Sequence, residues 1–374
     1  MSFLYVTEQG AYIRKKGPRI QVVKDDELLA DRSVKDVGTL VMFGGVHPTT
    51  DAMLAILDNG GDVAMMTQNG HFKGKMVSAK GKNSILRVSQ YALFTDESRR
   101  GEMARRYVEA KIRNGIDVLL DYHYSNSNPY RLDDRIRGQF EGICASLAKS
   151  GIPADSLRGY EGAGARLYFG EFGKCLLHGR QFPGRIYRPS TDAVNALLSF
   201  GYSFVAREIE AMLEACGLDP YIGFFHELTY GRASLSLDLM EEFRHPLVDR
   251  LVLRLFNKKM LGDDDFETVG EDGQVYLKKE SLKIFIRHYE EWCNRRNRTW
   301  TDEREISWRK AMWTQAEKLR HCIMNGVEYT PFSWKQAPPD DDAGVEENGG
   351  TETMLNMPEP SGQSMNPEEQ ARNT

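Results

Sequence analysis

The residues of this chain that are best suited to chemistry lie in one stretch, between Gly223 and Arg244. His226 ends an apolar run, and two carboxylates, Asp238 and Glu241, follow it twelve and fifteen residues later. Helical residues three apart lie on nearly the same face, so a helix would place Asp238 and Glu241 side by side. Leucine, methionine and phenylalanine surround them, and carboxylates in such a setting need a cation. The nearby imidazole suggests that this cation is a metal ion.

Length and composition suggest a protein of two or three domains without a membrane segment. The chain has 374 residues, of which 41% are hydrophobic, enough for a substantial core. Its five cysteines are scattered, which excludes a cysteine-based zinc site and favours a reducing compartment. No apolar run approaches the length of a membrane span, and the N-terminus lacks a signal-peptide pattern. We therefore expect a soluble, cytoplasmic protein.

The net charge of −5 is unevenly divided between the body of the chain and its C-terminal tail. From Gln336 onward there are nine acidic residues and one arginine, so the tail carries −8 and the rest of the chain +3. The tail is also rich in Pro, Gly, Asn and Ser and nearly free of aliphatic residues, a composition that predicts disorder. The mildly basic body permits binding to nucleic acid without requiring it.

Two regions of different periodicity precede the tail. Residues 1–85 are predicted to form the strands Phe3–Thr7, Ala11–Lys16, Arg19–Val23 and Thr39–Phe43, a short helix Ala52–Leu57, and a hairpin of Val63–Thr67 and Phe72–Val77 that turns at Asn69-Gly70. Helical periodicity begins near Ser89 and continues to residue 335, apart from a short hairpin between residues 263 and 277. The sequence therefore predicts an α+β chain with a small β-rich domain (1–85), a larger α-helical domain (86–335) and a disordered acidic tail (336–374). The predicted helices are Glu97–Leu120, Leu132–Lys149, one that begins near Asp155, Asp192–Cys216, Leu247–Phe256, Glu280–Arg296 and Glu303–Met324.

The predicted helix Glu97–Leu120 carries a row of cations that has two interpretations. Glutamates lie between these cations, a pattern typical of a solvated helix face, and we favour that interpretation for each residue. The alternative is a surface that follows a phosphate backbone. The cations are Arg99, Arg100, Arg105, Arg106, Lys111 and Arg113.

Glu161 stands next to a run of small residues, Gly162 to Ala165, which allows two helix backbones to approach each other closely. Taken alone, Glu161 is best explained as an acidic residue near a helix N-terminus. Spacing along the chain does not show that it meets His226 and Glu241. A set of two or three carboxylates and one imidazole would suit Mg²⁺ or Mn²⁺, and the histidine favours Mn²⁺.

Several motifs that follow one another along the chain together resemble the CRISPR-associated spacer-acquisition integrase and endonuclease family, and the resemblance extends from about residue 3 to residue 330. Each motif alone is moderately specific, and their combination is highly specific. They are Phe43-Gly44-Gly45-Val46, Lys111-Ile112-x-Asn114, Glu161-Gly162-x-x-Ala165-Arg166-x-Tyr168-Phe169, Arg188-Pro189-x-x-Asp192-x-Val194-Asn195, Gly223-Phe224-x-His226, Gly231-Arg232-x-Ser234-Leu235, Asp238-Leu239-Met240-Glu241 and Phe243-Arg244-x-Pro246-x-Val248-Asp249.

The resemblance implies a fold, a reaction and a ligand set. It implies a β-sandwich-like N-terminal domain, an all-α catalytic domain and a homodimer that works with a small ferredoxin-like partner. The implied reaction inserts short foreign DNA duplexes into a CRISPR repeat array by transesterification. The implied ligands of the Mg²⁺ or Mn²⁺ ion are Glu161, His226 and Glu241, where some relatives carry Asp at the last position. Glu241 ligates alone or shares that duty with Asp238.

The remaining polar groups have supporting roles in this interpretation. Arg166, Asn195 and Arg232 are candidates for contacting DNA phosphate or for orienting the ligands, and helix-packing hydrogen bonds are the alternative for Asn195 and Arg232. No serine or cysteine lies in a nucleophile motif, which suits attack by a DNA 3′-hydroxyl. Two other functions stay open: an architectural DNA-binding subunit without catalysis, and a metal hydrolase that acts on a small substrate.

Overall fold

The strands of the N-terminal region form two four-stranded sheets. The structure is a computed structural model, and it describes residues 3–68, 72–78, 84–186, 189–270, 272–299 and 302–334. The N-terminal elements are β1 (Phe3–Val6), β2 (Tyr12–Lys16), β3 (Arg19–Lys24), β4 (Glu27–Ser33), β5 (Thr39–Phe43), β6 (His47–Pro48), α1 (Thr50–Asp58), β7 (Asp62–Met66) and β8 (Phe72–Met76). One sheet has the order β1–β5–β7–β8, with β5 parallel to both neighbours, and the other has the order β4–β3–β2–β6.

Strand β5 joins the N-terminal region to the helices because both of its faces are buried. Leu40 and Met42 point into the core that the two sheets share with α1. Val41 and Phe43, which alternate with them, belong to the main core of the helical region. A strand buried on both faces is a continuous apolar run, as the segment from Thr39 to Phe43 is. All of the described residues accordingly belong to one compact unit, and the domain boundaries near residues 85 and 335 stay predictions.

The C-terminal region consists mainly of helices. These are α2 (Ser84–Thr95), α3 (Glu97–His123), α4 (Asp134–Leu147), α5 (Ala154–Phe172), α6 (Ala193–Ala215), α7 (Ser234–Met240), α8 (Arg250–Asn257), α9 (Lys279–Asn294) and α10 (Trp308–Asn325). Between α7 and α8 the chain continues as a π-helical segment, Arg244–Asp249, which contains Pro246. Proline lacks the N–H that a regular helix needs there, and single π-turns are frequent at functional sites.

The mixed α and β fold agrees with the prediction, but three details differ. Strand β4 was not predicted, because Leu28 and Leu29 are adjacent and exposed rather than alternating in burial. Helix α2 begins before the predicted change of periodicity. The predicted helix from Glu303 is wrong at its start, where β12 (Asp302–Ser307) pairs with β11 (Arg296–Thr299) before α10 begins. The predicted hairpin near residues 263–277 is present as β9 (Phe266–Val269) and β10 (Gln274–Leu277), so the helical region is not purely α-helical.

Some predicted features lie outside the described residues. They are the disordered acidic tail 336–374, the Asn69-Gly70 turn and Arg188 of the fourth motif. Among the helices that the structure describes, none combines the length and the apolar composition needed to cross a membrane.

Candidate functional site

The site begins where α3 crosses α5. Gly164 of α5 faces Ile112 of α3, and a Cβ atom built on Gly164 would lie 2.9 Å from Ile112 Cγ1. Any larger residue would therefore push the two helices apart. Glu161 lies one turn before Gly164, and Lys111 is the neighbour of Ile112, so the close crossing brings the Glu161 carboxylate to the Lys111 ammonium. The small-residue run beside Glu161 thus has the packing role that the sequence predicts for it.

His226 lies in a loop that the buried Asp238 holds against α7. The Asp238 carboxylate accepts hydrogen bonds from the backbone N–H groups of Phe224 (2.5 Å), Phe225 (3.0 Å) and His226 (2.9 Å). Its Oδ1 atom also lies 2.7 Å from His226 Nδ1, which must be the donor because a carboxylate accepts. This bond leaves the Nε2 lone pair of a neutral imidazole free to bind a ligand.

The loop can lie this close to α7 because position 223 is glycine. A Cβ atom there would come within 2.7 Å of Asp238 Oδ2 and of the Ser234 backbone. Gly223 thus contributes to the site because it has no side chain. The Gly223-Phe224-x-His226 motif alone does not indicate this role.

Glu241 is the residue that the free imidazole nitrogen faces. It follows the last residue of α7, and its side chain is 3% exposed, with Oε1 3.9 Å from His226 Nε2. Arg244 donates to both oxygens from Nη1, at 2.9 Å and 3.2 Å. Asp238 and Glu241 therefore flank one imidazole on its two different nitrogens, although the sequence predicts them side by side.

The Lys111 ammonium lies between the two carboxylates of the site. It is bonded to Glu161 and lies 2.8 Å from Glu241 Oε2, and its side chain is 4% exposed. Lys111 therefore links Glu161 to Glu241, which in turn lies beside His226, and the ligand set that the resemblance implies stays a prediction. Lys111 pairs with the carboxylates of Glu161 and Glu241, and Arg244 pairs with that of Glu241. Within the described ranges, no three His, Cys, Asp or Glu side chains are arranged to hold a metal ion.

The charges around Glu241 decide its ionisation. Burial alone would raise the pKa of its carboxyl, but Arg244, Lys111 and His226 outweigh burial and hold this pKa well below its usual range. The neighbouring Glu242 shows the opposite balance. Burial raises its pKa to about 7, although Tyr329, Phe332 and Gln315 donate hydrogen bonds to it. Glu241 is thus kept as an anion, the form that ligates metal.

Asn195 is fully buried and holds the connector before α6. Its Oδ1 accepts from Arg185 Nη1 (2.8 Å) and from the Ile186 N–H (2.9 Å). Its Nδ2 donates to Gly184 O (2.8 Å) and to Asp192 Oδ2 (2.7 Å). All four hydrogen-bonding positions of this amide are filled within the chain. The phosphate-contacting role that we considered for Asn195 would require some of these bonds to break.

The other two supporting residues are exposed. Arg166 projects from α5, and Arg232 lies in the loop between His226 and α7. Arg232 lines a groove of about 650 Å³ together with Tyr230 and Arg207. The structure thus brings Asp238 into the site, places Arg232 on a nearby surface and leaves Asn195 in a packing role.

Sequence reasoning missed the part that Lys111 and Arg244 have in the site. Lys111 was assigned to a solvated row of cations, which is wrong for this residue because it is buried. Ala104, Tyr107 and Val118, which share its face of α3 at helical spacing, are buried too. A lysine at an apolar-stripe position was the available signal.

The Asp238 carboxylate should contribute strongly to stability, which the change Asp238→Asn tests. An amide in its place would point an NH₂ group at two backbone or ring N–H donors and leave them unpaired in a buried setting. We expect a loss of about 3 kcal/mol in the free energy of unfolding, measured with urea. Asp263→Asn is the matched control, since Asp263 is 83% exposed and should change stability by less than about 0.5 kcal/mol. Equal losses in the two variants would contradict the prediction.

Comparison with known proteins covers the part of the chain that contains the motifs. Residues 4–291 match the family model described as CRISPR associated protein Cas1. CRISPR-associated endonuclease Cas1 3 of Thermus thermophilus is 32% identical over 333 residues, which cover 88% of this chain and 96% of that protein.

Solved structures share the fold at lower identity. A casposase bound to integration product has a TM-score of 0.75 and 22% identity, and the match covers 91% of this chain and 97% of that one. A Cas6-RT-Cas1–Cas2 complex has a TM-score of 0.72 and 22% identity, covering 90% of this chain and 36% of that one. The family model spans most of the chain, and a curated relative exceeds 30% identity along nearly its full length. The chain therefore belongs to the Cas1 family of CRISPR-associated proteins.

Proposed function

We propose that this protein is a divalent-metal-dependent DNA endonuclease and integrase, which inserts short foreign DNA fragments into a CRISPR repeat array. The observation that carries the proposal is a chain of contacts: Lys111 pairs with both Glu161 and Glu241, and Glu241 Oε1 lies 3.9 Å from Nε2 of His226. The Asp238 carboxylate orients that imidazole through a hydrogen bond from Nδ1. Histidines that bind metal are commonly oriented by a carboxylate in this way. The names of the curated relatives, as endonucleases, support the same reaction class.

The donor set fits Mg²⁺ or Mn²⁺. Two carboxylates and one imidazole are the ligands that these ions accept, with the imidazole favouring Mn²⁺. Glu161, His226 and Glu241 would hold the ion, and Asp238 would fix the imidazole from behind rather than ligate. The bound ion would supply a Lewis acid for phosphoryl transfer.

The chain's own residues account for the remaining requirements of transesterification. The attacking group is a DNA 3′-hydroxyl, so that one P–O bond forms, another breaks, and the released strand leaves with a new 3′-hydroxyl. No protein nucleophile is needed. Arg244 adds positive charge at Glu241, and Asp238 holds the ring of His226 in one tautomer, so the ligands stay in place while the phosphate reacts.

A groove beside the site has the shape and chemistry for a DNA end. It encloses about 620 Å³ next to His226, between the start of α5 and the first turns of α3. Aromatic side chains that suit base stacking and arginines that suit phosphate line it. These are Phe94, Phe224, Phe225, Arg100 and Arg158.

The proposed assembly follows from the family. We propose that the N-terminal region is a β-sandwich-like dimerisation domain, in support of which Tyr12, Leu28 and Leu29 expose apolar surface on its second sheet. A small ferredoxin-like partner would join two such dimers, and the solved complex that pairs Cas1 with Cas2 supports this. We place the protein in the cytoplasm, where the repeat array lies, and its five free cysteines suit that compartment.

A strand-transfer assay separates this proposal from its alternatives. Wild-type protein, Mn²⁺ and a short duplex with free 3′-ends should yield covalent joints to a plasmid that carries the repeat array. DNA binding without any joining would favour the architectural subunit. Hydrolysis of a small phosphate or carboxylate ester without affinity for DNA would favour a small-molecule hydrolase.

Arg232 should contribute to DNA affinity through phosphate contact alone. We expect Arg232→Ala to weaken DNA binding several-fold for all sequences, and to lower the slope of log K against log salt by about 0.9. Fluorescence anisotropy at several salt concentrations measures both effects. Arg137→Ala is the control, because Arg137 forms a surface ion pair with Glu141 on α4. An unchanged salt slope in Arg232→Ala would count against the contact.

A further inference from the structure

Lys111 has no role in the chemistry described so far, although it occupies the middle of the site. Its side chain is almost fully buried, and its ammonium is bonded to Glu161 and Glu241 at once. We propose that Lys111 is a positioning residue that holds the two carboxylates together in the metal-free protein and yields its place to the metal ion. The proposal rests on the proposed function, because it takes Glu161, His226 and Glu241 as the ligands.

The first half of the proposal follows from charge. Glu241 is buried and Glu161 is 23% exposed, and two such carboxylates that face the same ammonium would repel each other without a cation between them. Lys111 comes from α3, Glu161 from α5, and Glu241 from the end of α7. One ammonium therefore joins three separate helices and keeps both carboxylates turned inward, where a metal ion requires them.

The second half follows from what an ammonium can do. It has three donors and no lone pair, so it occupies carboxylate oxygens but cannot itself ligate a cation. A divalent ion brings twice the charge to the same two carboxylates and adds a bond to His226. The described residues contain no ready-made group of metal ligands, as expected if the lysine must leave before the ion binds.

The groove beside His226 lies on the N-terminal side of Lys111 along α3. Helical side chains lean toward the N-terminus of their helix, and the wall of this groove includes Ala104 and Arg100, two and three turns before Lys111 on α3. The flexible four-carbon stem lets the ammonium reach water while the backbone stays buried.

The chain contains a matched lysine in a place with no proposed metal role. Lys75 of β8 bonds Glu210 (2.8 Å) and Glu214 (2.6 Å) of α6, whose side chains are 3% and 23% exposed. Those values equal the exposures of Glu241 and Glu161, the two partners of Lys111. Lys75, which is 19% exposed, thus forms a similar bridge between two glutamates at the junction between the first sheet and α6.

The test measures Mn²⁺ binding by electron paramagnetic resonance, and thermal unfolding with and without Mn²⁺, on the full chain. We expect Lys111→Met to bind Mn²⁺ about ten- to a hundred-fold tighter than wild type, since one competing charge-assisted bond to each ligand is gone. Its metal-free midpoint should fall, and Mn²⁺ should raise that midpoint by more than it does in wild type. Lys111→Arg, which keeps the charge, should bind no tighter than wild type. Lys75→Met should lose stability without a change in Mn²⁺ affinity.

Affinity of Lys111→Met that is equal to or weaker than wild type would overturn the proposal. If this variant does not fold without metal, refolding with Mn²⁺ is expected to restore it, and failure to do so overturns the proposal as well. His226→Ala identifies which idea has failed. Mn²⁺ binding that survives this change refutes the metal site itself, whereas His226-dependent binding that Lys111→Met leaves unaltered refutes only the role of Lys111.

Discussion

His226→Ala is expected to reduce Mn²⁺-dependent DNA strand transfer by about three orders of magnitude. The reason is the loss of a nitrogen ligand from the proposed set of three. Metal stabilisation of phosphoryl transfer is worth several kcal/mol, and each 1.36 kcal/mol is tenfold in rate. The measurement is the initial rate of joint formation with a repeat-containing plasmid. DNA binding should change little, because affinity comes mainly from contacts with the phosphate backbone.

Two further variants sharpen this prediction. His288→Ala is the matched control, since His288 pairs with Glu291 at the surface of α9, and its rate should equal that of wild type. Glu161→Gln should lose as much activity as His226→Ala, and the double variant should be no worse than either, because ligands of one ion act as a unit. Strand transfer by His226→Ala at the wild-type rate would refute metal-dependent catalysis at this site.

Arg309→Met is expected to cost about 3–5 kcal/mol in the free energy of unfolding, because it leaves the buried Glu208 carboxylate without its cation. Arg309 of α10 donates to Glu208 from Nη2 (2.7 Å) and Nε (3.1 Å), and to Glu290 from Nη1 (2.8 Å). The Tyr5 hydroxyl of β1 donates to the same Glu208 at 2.9 Å. This network therefore ties the first sheet to α6, α9 and α10.

Denaturant unfolding tests the prediction, with Arg137→Met as the control. Arg137 forms an exposed pair on α4 and should contribute less than about 1 kcal/mol. Adding Glu208→Gln to Arg309→Met should recover part of the loss, because it removes the unpaired buried charge rather than restoring the pair. A loss in Arg309→Met no larger than in Arg137→Met would contradict the assignment of this network.

Much of the fold was predictable because local patterns determine it. β5 is a continuous apolar run and α6 has apolar residues at helical spacing, so both appear nearly where the sequence places them. β4 and β12 were not predictable in the same way. β4 is an exposed edge strand in which buried and exposed residues do not alternate. β12 pairs with β11 and directly precedes α10, so the helical pattern of that segment hides the strand. In both, strand pairing outweighs local propensity.

The sequence by itself determined the types of the candidate ligands, the resemblance of the chain to a known family and the small residues beside Glu161. It also indicated that His226, Asp238 and Glu241 belong together, because they lie close along the chain. Only the tertiary structure decided that Asp238 faces the Nδ1 side of the imidazole and Glu241 the Nε2 side.

The tertiary structure also decided the place of Lys111. Lys111 and Glu161 are fifty residues apart, and Lys111 and Glu241 are farther still, so no local pattern relates them. The contact between Lys111 and Glu161 depends on how closely α3 and α5 cross. Gly164 allows this close crossing because it has no side chain. Distances between residues far apart in the chain are fixed by packing. Packing therefore places Lys111 between Glu161 and Glu241, although the sequence pattern groups it with solvated cations.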